Sequence, residues 1–159
     1  MLLLNDQPGV RARAVIERGA EPGSSRVAIS ATQAPVTQVT MGLDNFGGRS
    51  TGTERVTGTL RLLDPSGRGD TLTFSTTLSE GAQTLAAAYS LPLTPQGLQA
   101  MVSATHLVYE VGGALEPLKL EGSATTAAVG LSYPIVRSRE RNLYVQGLLE
   151  HKQLLDDAL

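Results

Sequence analysis

The sequence predicts a mainly β chain: an antiparallel meander of about seven strands preceded by a short two-strand unit. Three observations carry this. Helix signals are nearly missing, side chains alternate apolar and polar over long stretches, and 17 glycines with frequent Ser and Thr punctuate those stretches. Among 159 residues 41% are apolar but only 4% aromatic, with no Trp, so any core must come from Leu, Val and Ala. With 13 Lys+Arg against 15 Asp+Glu, the net charge of −2 gives no reason to expect nucleic acid as a partner. The absence of Cys excludes disulfides, thiolate metal sites and a thiol nucleophile from this chain.

The elements follow in order. Met1 to Asn5 reads as a helix end stopped by Pro8-Gly9. Val10 to Glu17 and Arg26 to Ala31 read as strands joined across Gly19-Ala20-Glu21-Pro22-Gly23. The texture changes near residues 32 to 35, which divides the chain into 1–33 and 34–159. Seven segments follow at about 36–44, 53–64, 70–79, 83–92, 97–110, 122–134 and 141–155. Their lengths cluster near the ~9–11 residues with which a tilted strand crosses a bilayer. Tight connections at 65–69, 93–96 and 135–140 contrast with longer ones at 44–52 and 111–121. Both ends read as cut, so the chain is read as a fragment.

Parity sorts the faces. Val56, Gly58, Leu60 and Leu62 oppose Arg55, Thr57, Thr59 and Arg61; Leu72, Phe74, Thr76 and Leu78 oppose Thr71, Thr73, Ser75 and Thr77. Leu143, Val145, Gly147 and Leu149 oppose Tyr144, Gln146, Leu148, Glu150 and Lys152. Charges on the apolar parity (Glu54, Asp64, Asp70, Glu80) sit at segment ends, where a membrane interface tolerates them. Tyr89, Tyr133 and Tyr144 lie beside tight turns, and Phe46 and Tyr109 beside longer loops, as two aromatic belts would. A soluble β-sandwich also alternates, so parity leaves membrane barrel and sandwich both open. On the barrel reading Arg55, Arg61, Glu150 and Lys152 face a polar lumen.

An ordered set of motifs resembles the outer-membrane transporters of two-partner secretion, the haemolysin secretion/activation (ShlB/FhaC/HecB) family. Leu43-Asp44-Asn45-Phe46-Gly47 with Gly52 is similar to the family's first barrel hairpin, and Asp64-Pro65-Ser66-Gly67-Arg68-Gly69-Asp70 to its first periplasmic turn. Tyr89-Ser90-Leu91-Pro92, then Leu131 to Ser138 with Pro134 and Arg137, then Asn142-Leu143-Tyr144, continue the order. Residues 4–10 and 19–23 resemble the late part of a POTRA domain.

The resemblance implies the C-terminal part of a POTRA domain over 1–33, in the periplasm. Residues 34–159 become the N-terminal part of an incomplete outer-membrane barrel. The implied partners are a secreted exoprotein and outer-membrane lipid, with no nucleic acid, cofactor or metal. It also implies that Val10 to Glu17 is a cargo-binding edge. Val10, Ala12, Ala14 and Ile16 then face the domain's helices, and Arg11, Arg13, Val15 and Glu17 point outward. Asp44, Asn45, Gly47, Pro65, Gly67, Gly69, Asp70, Pro134 and Arg137 become structural motif residues. An assembly factor of the wider POTRA-barrel superfamily and a soluble β-sandwich binding module are the competing functions.

No acid, base and nucleophile constellation recommends an enzyme. His106 and His151 read as interfacial packing rather than metal ligands. Gly47-Gly48 and Gly52 precede a strand-like segment, unlike a phosphate loop. Arg68-Gly69-Asp70 spells an integrin tripeptide but reads as a hairpin turn.

Overall fold

The computed structural model describes residues 9–33, 36–113, 117, 119–138 and 140–157. Two antiparallel sheets contain every strand among them. The first is a hairpin of β1 (Val10–Arg18) and β2 (Ser25–Gln33), closed across Gly23, whose φ of +85° suits glycine. The second holds seven strands in sequential order: β3 (Thr37–Asp44), β4 (Arg55–Leu63), β5 (Thr71–Ser79), β6 (Ala82–Pro92), β7 (Gln99–Glu110), β8 (Glu121–Arg137) and β9 (Asn142–Asp157). Each strand pairs with the next, and β3 and β9 are its edges. The break between sheets falls between Gln33 and Thr37, where the sequence changes texture. The expected helix end at Met1 to Asn5 lies outside the described residues.

One expectation fails at β8. The segment read as ending at residue 134, before a turn at 135–140, continues through Pro134 to Arg137, and the turn is 138–141. The β7 register ends at Gln99 opposite Ser132, so Pro134 lies beyond the last β7 partner. A bulge between Pro134 and Val136 absorbs the irregularity against β9. A proline at such an edge position with a bulge costs little ladder bonding. The alternation of kinds also has an exception: β5 and β6 join through Glu80-Gly81 alone, on the same rim as the long connections.

The interior is in the wrong place for a soluble domain. Among the described residues only Ala12 and Ala128 are buried apolar residues. Val56, Phe74, Leu85, Val102 and Val129, all on the apolar parity, are exposed. Thr57, Thr73, Ser75, Thr84, Ser103 and Thr105, on the polar parity, are half-buried. A sheet curling toward its polar face crowds those side chains and splays the apolar ones outward. That is the barrel arrangement, with an apolar exterior and a polar interior. A sandwich would cover the apolar parity with a second sheet, and no described residue does so.

Candidate transport face and cargo edge

The cross-strand register carries the polar face from β3 to β9. Arg61 lies between Gln38 and Thr73, and the same row continues through Ala88, Ser103 and Ala128 to Glu150. Lys152 belongs to the next row, through Thr126, Thr105, Ala86 and Ser75 to Thr59. Arg55, Arg61, Glu150 and Lys152 thus share one face, although β4 and β9 stand five strand positions apart. Their pairing differs. Arg55 Nε binds Asp44 Oδ1 at 2.8 Å, directly across β3–β4. Glu150 and Lys152 approach to 3.6 Å with both side chains about half exposed, a pair worth roughly 0–1 kcal/mol. Arg61 makes no ion pair among the described residues.

The family-like motifs are turn frameworks. Asp44 Oδ1 also accepts the Phe46 N–H at 3.0 Å, and the Gly47 N–H donates to the Thr53 carbonyl at 2.9 Å. A Cβ on Gly47 would stand 2.1 Å from the Gly52 carbonyl oxygen, so that position admits only glycine. Asn45 lies in this loop between them.

The inner turn from Asp64 to Asp70 is tighter still. Asp64 adopts φ +57° and its Oδ1 accepts the Gly69 N–H at 2.6 Å; Gly67 and Gly69 have φ of +75° and +74°. Pro65 follows Asp64 at the first turn position. Asp70 is 1% exposed. Its Oδ1 accepts from Ser66 Oγ (2.8 Å) and Ser66 N–H (3.1 Å), and its Oδ2 from the Tyr89 hydroxyl (2.9 Å). The aspartate of Arg68-Gly69-Asp70 is therefore consumed inside the turn and is not presented to any receptor. Gly9, at the start of β1, touches this turn, since a Cβ there would lie 3.5 Å from Asp64 Cβ. At the last inner turn, Arg137 Nη1 donates to Asn142 Oδ1 at 2.9 Å and its guanidinium lies 5.9 Å from the Tyr144 ring centroid.

Burial alone would raise the pKa of Asp70. The hydrogen bonds from Ser66 Oγ, Tyr89 and the Ser66 N–H outweigh it and hold the carboxyl below its ordinary 3.8. A depressed folded-state pKa gives stabilisation that is complete above the ordinary carboxylate value and is lost as pH falls through the lower folded one. Resistance to heat unfolding, followed from about pH 5 down to about pH 2, will therefore fall in the wild type. Asp70→Asn, which cannot titrate, will start lower and show a flatter profile.

On the hairpin, Arg13, Val15 and Glu17 share one face, opposite Ser30, Ala28 and Arg26; Arg11 stands opposite Thr32 in the same series. The other face aligns Ile16 with Val27 and Ala14 with Ile29. Ile16, Val27 and Ile29 are exposed at 75%, 59% and 61%, whereas Ala12 on the same face is buried. His106 Nδ1 meets Thr125 Oγ1 at 2.9 Å on the outward face, and no described cluster of three His, Asp or Glu could hold a metal.

Sequence reasoning missed two residues. Tyr89 was read as a belt aromatic, yet it caps Asp70 from β6. Tyr109 reaches over Gly122 to Asp156 Oδ1, because a Cβ on Gly122 would stand 2.7 Å from the tyrosine oxygen. The pairing of a lumenal-parity tyrosine with a glycine one strand away was the available signal.

Comparisons with known proteins agree with this geometry. The chain is 27% identical over 157 residues to the heme/hemopexin transporter protein HuxB of Haemophilus influenzae, covering 98% of this chain and 28% of that protein. The structure of CdiB from Escherichia coli superposes with a TM-score of 0.78 at 23% identity, over 98% of this chain and 30% of that one. BamA from Haemophilus ducreyi, lacking POTRA domains 1–3, superposes at 0.61 with 11% identity, over 96% and 28%. The chain thus spans under a third of the relatives it matches. The family model for the haemolysin secretion/activation protein ShlB/FhaC/HecB matches residues 23–156. The chain belongs to that family, whose members are β-barrel proteins of the bacterial outer membrane.

Proposed function

We propose that the chain is part of a two-partner secretion transporter that carries an exoprotein of the haemolysin or filamentous haemagglutinin type across the outer membrane. The observation that carries this is the inverted sheet: the apolar parity is exposed, the Ser and Thr of the polar parity are half-buried on β4–β7, and Arg55, Arg61, Glu150 and Lys152 lie on that polar side. The family match supplies the direction of the reading. Residues 34–159 build part of the conduit wall, and its polar lining lets an unfolded polypeptide pass without adhering.

Residues 1–33 belong to a periplasmic POTRA domain. Two features support this. The β1–β2 hairpin exposes Ile16, Val27 and Ile29 on its apolar face, suited to helices on one side of a sheet, and Gly9 lies close to Asp64 of the inner turn. Cargo adds as a strand along Val10 to Glu17. Main-chain bonds supply affinity, and Arg11, Arg13 and Val15 add selectivity while guarding against self-pairing. Val15→Pro removes one main-chain donor. At equal amounts of folded transporter, secretion of the partner exoprotein will fall severalfold; unchanged secretion excludes this strand as the docking edge.

An assembly factor that inserts other barrels is the second reading, favoured by the likeness to BamA. It predicts that deletion depletes several outer-membrane proteins. The transporter reading predicts loss of one exoprotein from the medium.

A further inference from the structure

The outward face changes character along a slanted line. Outermost, one cross-strand row reads Leu43, Val56, Leu78, then Gln83, Val108, Ser123 and Leu155. The next row inward reads Met41, Gly58, Thr76, Leu85, then His106, Thr125 and Gln153. The third reads Val39, Leu60, Phe74, Ala87, Ala104 and Ala127, then His151. The fourth, from Thr37 and Leu62 through Leu72, Tyr89, Val102 and Val129 to Leu149, carries no charged residue or histidine. The change to polar residues therefore falls between β5 and β6 in the first row, β6 and β7 in the second, and β8 and β9 in the third. Val108 and Leu155 are the apolar residues beyond the line.

That line drops two rows, four residues, over three strand spacings. At ~3.3 Å per residue and ~4.8 Å between strands its slope is about 40°. Strands of outer-membrane barrels tilt by ~35–45°, so a level lipid boundary would cut this register at the same slope. The inner turns descend in the same sense. From the β4–β5 turn to the β6–β7 turn the strands gain two residues, since Ser90 pairs with Thr71 and β6 runs on to Pro92. From there β8 gains five more beyond Ser132, including the bulge residue. The outer strand ends do not descend: Asp44 pairs with Arg55, and Ser79, Ala82, Tyr109, Gly122 and Asp156 share one row. The paired residues Glu110 and Glu121 extend one step further.

The geometry points to an oblique lipid boundary across this face, with the outer ends of β7–β9 standing above the bilayer as a water-facing wall. The inference rests on the membrane-barrel reading. The hydrocarbon touches Leu78, Thr76, Leu85 and Phe74, whereas His106, Thr125, His151 and Gln153 meet water and headgroups. Hydroxyl chemistry agrees: Thr76 Oγ1 donates to the Thr84 carbonyl at 3.0 Å, so it exposes no free donor to lipid. On β9 the seven residues from His151 to Asp157 lie above the line, a rise of about 18 Å at that tilt.

Thr76 and Thr125 make the test sharp, being the same residue type on the same face and row. The chain has no Cys, so Thr76→Cys and Thr125→Cys each contribute a single thiol. The protein as produced in the outer membrane is treated on intact cells with a membrane-impermeant maleimide. Thr125→Cys will react at least about tenfold faster than Thr76→Cys, because hydrocarbon disfavours the reactive thiolate. Ser123→Cys against Leu78→Cys repeats the comparison one row out, should either threonine variant fail to fold. Equal rates within both pairs would overturn the slanted boundary while leaving the barrel in place. Rapid labelling of Phe74→Cys as well would remove the membrane reading itself.

Discussion

Asp70→Ala will destabilise the first inner turn. It removes the acceptor shared by the Ser66 N–H, the Ser66 hydroxyl and the half-buried Tyr89 hydroxyl. A hydrogen bond to a charged acceptor contributes about 1.5–3 kcal/mol, and water replaces part of that at the exposed Ser66. The expected loss is about 2–3 kcal/mol, enough to loosen the first inner turn and with it the β4–β5 register. The measurement is the temperature at which the folded band converts to the unfolded one in gel electrophoresis of the detergent-extracted protein. Tyr89→Phe removes one of the same bonds and will fall between the two. If Asp70→Ala unfolds at the wild-type temperature, the turn is not the hub that its burial describes.

Gly52→Ala comes next. Gly52 has φ +94°, and an added Cβ would stand 2.7 Å from Glu80 Cβ and 2.8 Å from the Glu80 nitrogen. Left-handed backbone costs an alanine roughly 1–2 kcal/mol. The clash with main-chain atoms of the β5–β6 turn adds to it, so the sum will exceed about 2 kcal/mol. Gly67→Ala is the contrast. Its φ is +75° but nothing lies within 4 Å, so only the backbone strain applies. Equal destabilisation by the two variants would show that the close approach at Glu80 contributes nothing.

The strands were legible in the sequence because a sheet with one apolar and one polar face must alternate, and Gly, Pro and Asp mark its turns. Parity and the cross-strand register both put Arg55, Arg61, Glu150 and Lys152 on one face, since side chains do not change face without a bulge. Their partners were not legible. That Asp44 takes Arg55 while Arg61 makes no ion pair among the described residues depends on cross-strand register, which parity does not set. The same holds for Tyr89 on Asp70, nineteen residues apart in sequence. Pro134 misled for a different reason. A proline usually ends a strand, but beyond the last β7 partner the missing N–H is not needed. Whether the apolar parity pointed in or out was also hidden from alternation, and only the exposure pattern separates barrel from sandwich.

The outer rim carries one more consequence. The Gly81 N–H donates to the Thr51 carbonyl, the Glu110 N–H to that of Gly81, and the Gly112 N–H to that of Ser50. Three connections from different hairpins are thus joined by main-chain bonds alone. The surface of this rim is therefore discontinuous, assembled from segments far apart in the sequence. Side-chain drift can alter its chemistry without dismantling it. Lengthening any one of the three connections disturbs the other two, so the surface there tracks the fold rather than any linear peptide.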